Sequence, residues 1–212
     1  MACFPTPANP TAQAQPPPPP PPTPVVVVPL PPGFKFVVWL KEGRVAVAEA
    51  PRTGAKVAVK HCPVKSDFER ERAVLYALRR SAAAPFVVAI DSDFEAESSN
   101  PGFLVLEQLY KSLPDFLGAP KDQAVLQGLA KNICLALAAL HAAGYAHLDF
   151  KPHQVCIAVA DDTKVKLVDF DAARRPGEPC AATFTYMYAP PERFLDPAGR
   201  ASFKMDVFPL AS

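Results

Sequence analysis

Short apolar runs separated by turn residues dominate the first half of the chain. Their length, their many valines and the Thr53-Gly54 turn predict strands rather than helices. Five strands are predicted, over residues 36–40, 43–48, 55–60, 85–90 and 103–106. Side chains alternate between the two faces of a strand, so the third run places Ala58 and Lys60 on the same face.

The apolar spacing changes to a helical period in two other segments. Residues 67–78 place Glu71, Leu75 and Leu78 on one face of a predicted helix. A longer apolar stripe predicts a second helix that ends near Gly144, a residue that favours a helix stop. The members of that stripe are Leu126, Leu129, Ile133, Leu137 and Leu140.

The composition excludes several classes of protein. Half of the 212 residues are hydrophobic, which is enough to form a sizeable core. Twenty-two basic and 21 acidic residues leave a net charge of +1, so no nucleic-acid or membrane footprint is expected. Five cysteines without C-x-x-C spacing indicate reduced thiols. With neither a signal peptide nor a transmembrane segment recognised, we expect a cytoplasmic or nuclear protein.

Residues 1–32 form a segment of low complexity that contains 14 of the 27 prolines. Because proline fixes φ and removes a backbone donor, this segment is predicted to be a disordered, polyproline-II-like tail without a packed core. Two interpretations remain open. The tract at 16–24 is either a ligand for a polyproline-binding domain or a disordered tail alone.

Two groups of residues in the second half carry the strongest chemical signal. Residues 145–155 read Tyr-Ala-His-Leu-Asp-Phe-Lys-Pro-His-Gln-Val, and Asp169-Phe-Asp171 follows fourteen residues later. They resemble the catalytic loop H-R-D-L-K-P-E-N and the metal-binding triplet D-F-G of eukaryotic protein kinases. The resemblance implies that Asp149 accepts or orients a hydroxyl proton, that Lys151 neutralises phosphoryl charge, and that Asp169 binds magnesium.

A matching nucleotide site is implied by the first half. Val57-Ala-Val-Lys60 resembles the family's V-A-I-K strand, so Lys60 is expected at the ATP phosphates and Ala58 beside adenine. Glu71 corresponds to the helix glutamate that pairs with this lysine. The resemblance also implies a nucleotide-binding role for Gly43, Val45 and Cys156 and for the hinge residues Glu107 and Leu109.

Later motifs extend the resemblance towards residue 211. Residues 184–192 resemble G-T-x-x-Y-x-A-P-E, with Thr185 and Glu192 in register. Residues 204–211 resemble K-A-D-V-W-S-L-G, the start of the family's αF helix, in which Asp206 would brace the catalytic loop.

The fold that the resemblance implies is α+β and bilobal. A small antiparallel sheet with one helix is expected over 33–109, including the hinge, after the tail at 1–32. A mainly helical second lobe is expected over 110–212, and it is truncated at the start of αF.

Several positions depart from the family's pattern. Aligned through Val45, the three positions of its glycine-rich loop are Val38, Leu40 and Gly43, which implies weakened ATP binding. Gln154 stands where asparagine is the second magnesium ligand, and its extra methylene moves the oxygen by roughly 1.5 Å.

Two more departures from the family's pattern affect regulation. Leu148 replaces the arginine that clamps a phosphorylated activation loop, and Asp171 replaces the glycine of the triplet. Lysine two residues after the catalytic aspartate is typical of serine/threonine kinases.

Three interpretations of the function remain open. The first function is a protein serine/threonine kinase that uses ATP and Mg²⁺ on a protein substrate. The others are a pseudokinase scaffold and a small-molecule phosphotransferase of kinase-like fold.

Overall fold

The structure, a computed structural model, describes residues 30–41, 43–94, 102–158, 163–181 and 184–211. Residues 1–29, most of the segment predicted to be a disordered tail, lie outside the described residues, and so does the tract at 16–24, for which a polyproline-binding partner is one of two interpretations.

Five antiparallel strands form the sheet of the first lobe. In the register between the second and third strands, Val45 pairs with Lys60 and Val47 with Ala58. Ala58 also pairs with Leu106 on the other side. The strands are β1 (Lys35–Lys41), β2 (Val45–Glu49), β3 (Lys56–Cys62), β4 (Ile90–Phe94) and β5 (Gly102–Glu107), in the spatial order β1-β2-β3-β5-β4.

The fourth strand predicted from the sequence, at 85–90, is wrong. Residues Ala84–Phe86 form a short 3-10 helix, since Pro85 has no N–H to contribute to a ladder. Val88 donates its N–H to the Leu167 carbonyl of the second lobe at 2.9 Å, and Val87 forms a bridge with the same residue. This apolar run therefore connects the lobes, and the strand begins only at Ile90.

Helix α1 (Lys65–Leu78) packs against this sheet. Its buried face contains Glu71, Leu75 and Leu78, as the helical spacing predicts. It approaches β5 very closely, because a Cβ added to Gly102 would lie 2.6 Å from the Phe68 ring. The absence of a side chain at Gly102 is what permits this approach.

The second lobe combines a small three-stranded sheet with four helices in the described residues. Its sheet contains β6 (Lys111–Ser112), β7 (Val155–Ile157) and β8 (Val165–Leu167). Its helices are α2 (Leu113–Leu117), α3 (Gln123–Ala142), α4 (Pro191–Leu195) and α5 (Lys204–Ala211). The predicted α+β, two-lobed arrangement is confirmed.

Helix α3 buries part of the predicted apolar stripe. Leu129, Leu137 and Leu140 lie in the core, whereas Leu126 is 43% exposed. The prediction is therefore wrong at Leu126, which lies in the first turn of the helix. The helix ends as predicted before Gly144, whose φ of +84° is left-handed and favours glycine.

Helix α3 is also long and apolar enough to cross a membrane by length and composition alone, with a mean hydropathy of 1.4. Its buried residues and its packing against β8 are also features of a helix in a protein core.

Candidate active site

Lys60 lies at the centre of a buried ion-pair cluster. From β3 its Nζ donates to Glu71 Oε1 and Oε2 of α1 at 2.8 and 2.6 Å, and it also pairs with Asp169 Oδ1. The Glu71 side chain is 1% exposed, and its Oε1 also accepts the Phe170 N–H at 3.2 Å. The sheet, the helix and the triplet at 169–171 are therefore joined at one ammonium group.

The electrostatics of this cluster favour a permanently charged lysine. Burial alone would lower the pKa of Lys60, but the carboxylates of Glu71 and Asp169 outweigh it and hold the pKa above its ordinary value. Burial alone would likewise raise the pKa of Asp169, but Lys60 and a hydrogen bond from Gln154 hold it well below its usual range. Both groups are charged at neutral pH.

Asp149 lies in a second polar cluster beside the first. Its Oδ1 accepts from the Thr185 hydroxyl at 2.7 Å and from the Thr185 N–H at 3.2 Å. Its Oδ2 accepts from Lys151 Nζ, which also donates to Thr185 Oγ1 at 2.8 Å. Burial opposes the charge of this carboxylate, yet the hydrogen bonds from Lys151 and Thr185 lower its pKa.

Gln154 connects the two clusters. Its Nε2 donates to Asp169 Oδ2 at 2.9 Å and lies 3.4 Å from Asp149 Oδ2. The side chain is only 6% exposed. A continuous chain of polar contacts therefore runs from Glu71 to Lys151, through six of the residues that the sequence singled out.

The loop that carries Asp149 is held from below by Asp206 of α5. The fully buried Asp206 carboxylate accepts the N–H groups of His147 and Leu148, each at 2.7 Å, and lies 2.9 Å from His141 Nε2. Leu148 adopts a left-handed φ of 65°, a conformation that costs a residue other than glycine about 1–3 kcal/mol. Two charge-assisted hydrogen bonds offset that strain.

Asp169 shows the same left-handed backbone, with φ of 69°. Aspartate tolerates this region better than most residues. The conformation accompanies a Phe170 ring that is fully buried, with its centroid 5.1 Å from that of His147. The triplet is thus anchored by an aromatic contact on one side and by Lys60 on the other.

The predicted nucleotide-base residues lie on β2, β3 and β7 and just after the end of β5. Ala58 is buried and Val45 and Leu109 are half-buried, and all three belong to the main hydrophobic core. Cys156 of β7 is half-buried opposite Lys166 of β8. Burial raises the pKa of its thiol to about 11.

Gly43 and the positions aligned with the glycine-rich loop lie at the edge of the site. Gly43 turns from β1 to β2 with a left-handed φ of 69°. Val38 and Leu40 of β1 are 50% and 58% exposed. The loop has side chains where the kinase pattern has bare backbone.

Two further residues take part in the geometry but were not among the predicted site residues. Thr185 closes over Asp149, and its place in the 184–192 motif was the available signal. Lys166 pairs with Glu107 Oε1, which also accepts the Ala89 N–H at 2.7 Å. No local pattern marks Lys166, since its partner is 59 positions away.

The donor set fits a magnesium ion only in part. Within the described ranges, no three His, Cys, Asp or Glu residues are placed to hold a metal ion. Mg²⁺ is commonly held by one or two carboxylates together with phosphate oxygens and water. The Asp169 carboxylate, 26% exposed, suits that role, whereas Gln154 directs its N–H groups, not its oxygen, at the carboxylates.

Comparison with known proteins yields a family. The model of the protein kinase domain matches residues 41–212. Mitogen-activated protein kinase 12 of Danio rerio is 28% identical over 162 residues, 72% of this chain and 44% of that protein. Serine/threonine-protein kinase D2 of Homo sapiens is 31% identical over 169 residues, 73% of this chain and 19% of that protein.

The chain thus spans less than half the length of these curated relatives. The family match nevertheless covers most of the chain, including every element that contributes to the polar cluster. The chain belongs to the protein kinase domain family.

Proposed function

We propose that this protein transfers the γ-phosphoryl group of ATP, bound with Mg²⁺, to a serine or threonine hydroxyl of a protein substrate. The observation that carries the proposal is the unbroken series of contacts from Glu71 through Lys60, Asp169, Gln154 and Asp149 to Lys151. It joins a phosphate-binding lysine to a proton acceptor across the cleft between the lobes.

Each end of that series supports a separate part of the reaction. At one end, Glu71 holds Lys60 in place, so that its ammonium can meet the α- and β-phosphates without reorganisation. At the other end, Asp149 accepts or orients the hydroxyl proton, and Lys151 stabilises charge on the transferred group. The low pKa of Asp149 keeps the acceptor ionised at neutral pH.

Magnesium binding is assigned to Asp169. A bound Mg²⁺ would supply neutralisation of the phosphate charge and fix the orientation of the triphosphate. The Asp169 carboxylate is partly exposed at the cleft, where its ion pair with Lys60 and the packing of the neighbouring Phe170 ring against His147 hold it in place.

Preference for serine or threonine rests on Lys151 and Thr185. Lys151 lies two residues after Asp149, and Thr185 ties it to the segment that precedes α4. Relatives that bear the name serine/threonine-protein kinase agree with this assignment.

A pseudokinase scaffold is the second candidate, and β1 favours it. The side chains of Val38 and Leu40, at positions aligned with glycines of the family's loop, would keep the strand backbone away from a phosphate bound there. Asp149 is moreover fully engaged by Lys151, Thr185 and Gln154, so a substrate hydroxyl must displace one of these donors.

Phosphoryl transfer by the full chain tests the proposal. The assay uses radiolabelled ATP, Mg²⁺ and a degenerate serine/threonine peptide library. Asp149→Asn is expected to lower the rate by at least about 100-fold, because the proton acceptor is lost. Asp122→Asn, an exposed change at the start of α3, is the control and should leave the rate unchanged.

The same samples separate the two candidates. A rise in melting temperature with ATP and Mg²⁺, without any transfer that depends on Asp149, identifies a nucleotide-binding scaffold. Undiminished transfer by Asp149→Asn contradicts the enzyme proposal.

A further inference from the structure

Gln154 lies directly between the two carboxylates that a kinase uses for chemistry and for metal binding. Its amide nitrogen is 2.9 Å from Asp169 Oδ2 and 3.4 Å from Asp149 Oδ2. With 6% of its surface exposed, it has little access to water as an alternative partner. One amide NH₂ group therefore faces two negative charges.

The orientation of that amide is dictated by its surroundings. If the amide were rotated by 180°, Oε1 would face two carboxylate oxygens, and acceptor would face acceptor with no donor between them. The donor orientation gives charge-assisted hydrogen bonds instead.

The backbone of Gln154 gives the side chain little freedom to withdraw. Its N–H donates to the Lys151 carbonyl at 2.9 Å, and its carbonyl accepts the Val168 N–H at 3.0 Å. These bonds close the 3-10 turn Pro152–Gln154 and join it to the end of β8. The residue therefore cannot leave the gap between the two aspartates.

We propose that Gln154 acts as a hydrogen-bond bridge in place of a second divalent cation, so that the nucleotide is bound with one ion, at Asp169. The inference rests on the proposed nucleotide-binding function and specifies its metal requirement. An ion between Asp149 and Asp169 would need an oxygen from residue 154, and the bridge occupies that space with N–H groups.

Asparagine at the same position supplies the contrast. With one methylene fewer, its amide is set back from the aspartates, so we expect it to lose the bridge and to leave its oxygen free to face an ion. Gln154→Asn is therefore expected to gain a second cation site. Gln154→Leu, which has neither donor nor acceptor, should gain none.

The test counts ions rather than turnover. The full chain is saturated with a non-hydrolysable ATP analogue and titrated with Mn²⁺, and free Mn²⁺ is measured by electron paramagnetic resonance. Binding of a fluorescent ATP analogue is followed in parallel. We expect one Mn²⁺ per nucleotide complex in the unchanged protein and in Gln154→Leu. Gln154→Asn should bind two, the second with an affinity at least about tenfold above any second binding detected in the unchanged protein.

If the nucleotide binds, either of two results contradicts this inference and leaves the proposed function intact. One is two tight ions in the unchanged protein, and the other is a single ion in Gln154→Asn. Failure of the fluorescent nucleotide to bind at any Mn²⁺ concentration overturns the proposed function, and this inference with it.

Discussion

At the scale of the residue, Lys60 shows how one ammonium group can organise a site. Its side chain is 11% exposed and neutralises two carboxylates at once, the buried one of Glu71 and the partly exposed one of Asp169. Removing one partner of a buried ion pair leaves the other charge without compensation, which is more costly than never having formed the pair.

Lys60→Met is expected to lower the free energy of unfolding by about 3–5 kcal/mol, since Glu71 then remains buried without its cation. Urea denaturation followed by tryptophan fluorescence measures the change. Lys56→Met, at an exposed position of the same strand, is the matched control. Equal stability of the two variants would contradict a structural role for the pair.

Cys156 provides a prediction about reactivity. Burial raises the pKa of its thiol to about 11, so its thiolate is about 100-fold scarcer at pH 8 than that of an ordinary cysteine. Iodoacetamide should therefore label the exposed Cys134 far faster than Cys156, as peptide mass spectrometry would resolve. Raising the pH towards 11 should accelerate labelling of Cys156, and equal rates at pH 8 would refute the assignment.

At the scale of the element, the packing of α1 on β5 decides where Glu71 lies. The helix could not approach the strand so closely if Gly102 carried a side chain, because Phe68 occupies that space. A shift of the helix would move Glu71 away from Lys60. A structural glycine in the sheet thus contributes to the site from a distance.

Gly102→Ala is expected to destabilise the protein by about 1–3 kcal/mol, because the new methyl group overlaps the Phe68 ring. Chemical denaturation measures the loss. Gly118→Ala is the control, since its Cβ would meet its nearest neighbour at an ordinary 3.4 Å and its φ is −62°. The control should change stability by less than about 1 kcal/mol.

Elements also show where prediction from sequence succeeds. Strands β2, β3 and β5 and helices α1 and α3 follow from their periodicity, because their apolar residues pack into the core. Strand β1 follows from the same local pattern, although its apolar side chains are largely exposed. The run at 85–90 has the same local pattern as a strand. It packs instead between the lobes, against Leu167, and no local signal distinguishes these outcomes.

At the scale of the whole molecule, the two lobes share one hydrophobic core. That core contains residues of the first sheet together with residues of α3, β7 and β8. Leu167 bonds to Val88, and Lys166 pairs with Glu107, so β8 holds both the loop before β4 and the end of β5. Cleft geometry is therefore a property of the assembled chain.

Asp206 connects α5 to the loop that carries Asp149, and replacing it tests that connection. Asp206→Asn should lower the free energy of unfolding by about 2–4 kcal/mol. The asparagine NH₂ group would replace one of the two oxygens that accept the His147 and Leu148 N–H groups, so a donor would face a donor. Phosphoryl transfer should fall in parallel, since the loop at 147–149 loses its support. Urea denaturation and the transfer assay measure both effects. Wild-type behaviour in both would show that α5 does not position the loop.

The sequence by itself determined the family resemblance, the α+β class and the identity of most of the residues that meet in the cleft. Those features depend on local periodicity and on side-chain types at short spacing. Only the tertiary structure decided that the Gln154 amide faces two aspartates, that Lys166 pairs with Glu107 and that the run at 85–90 joins the lobes. Each of these depends on contacts between residues distant in the chain, whose geometry is set by packing of the whole core.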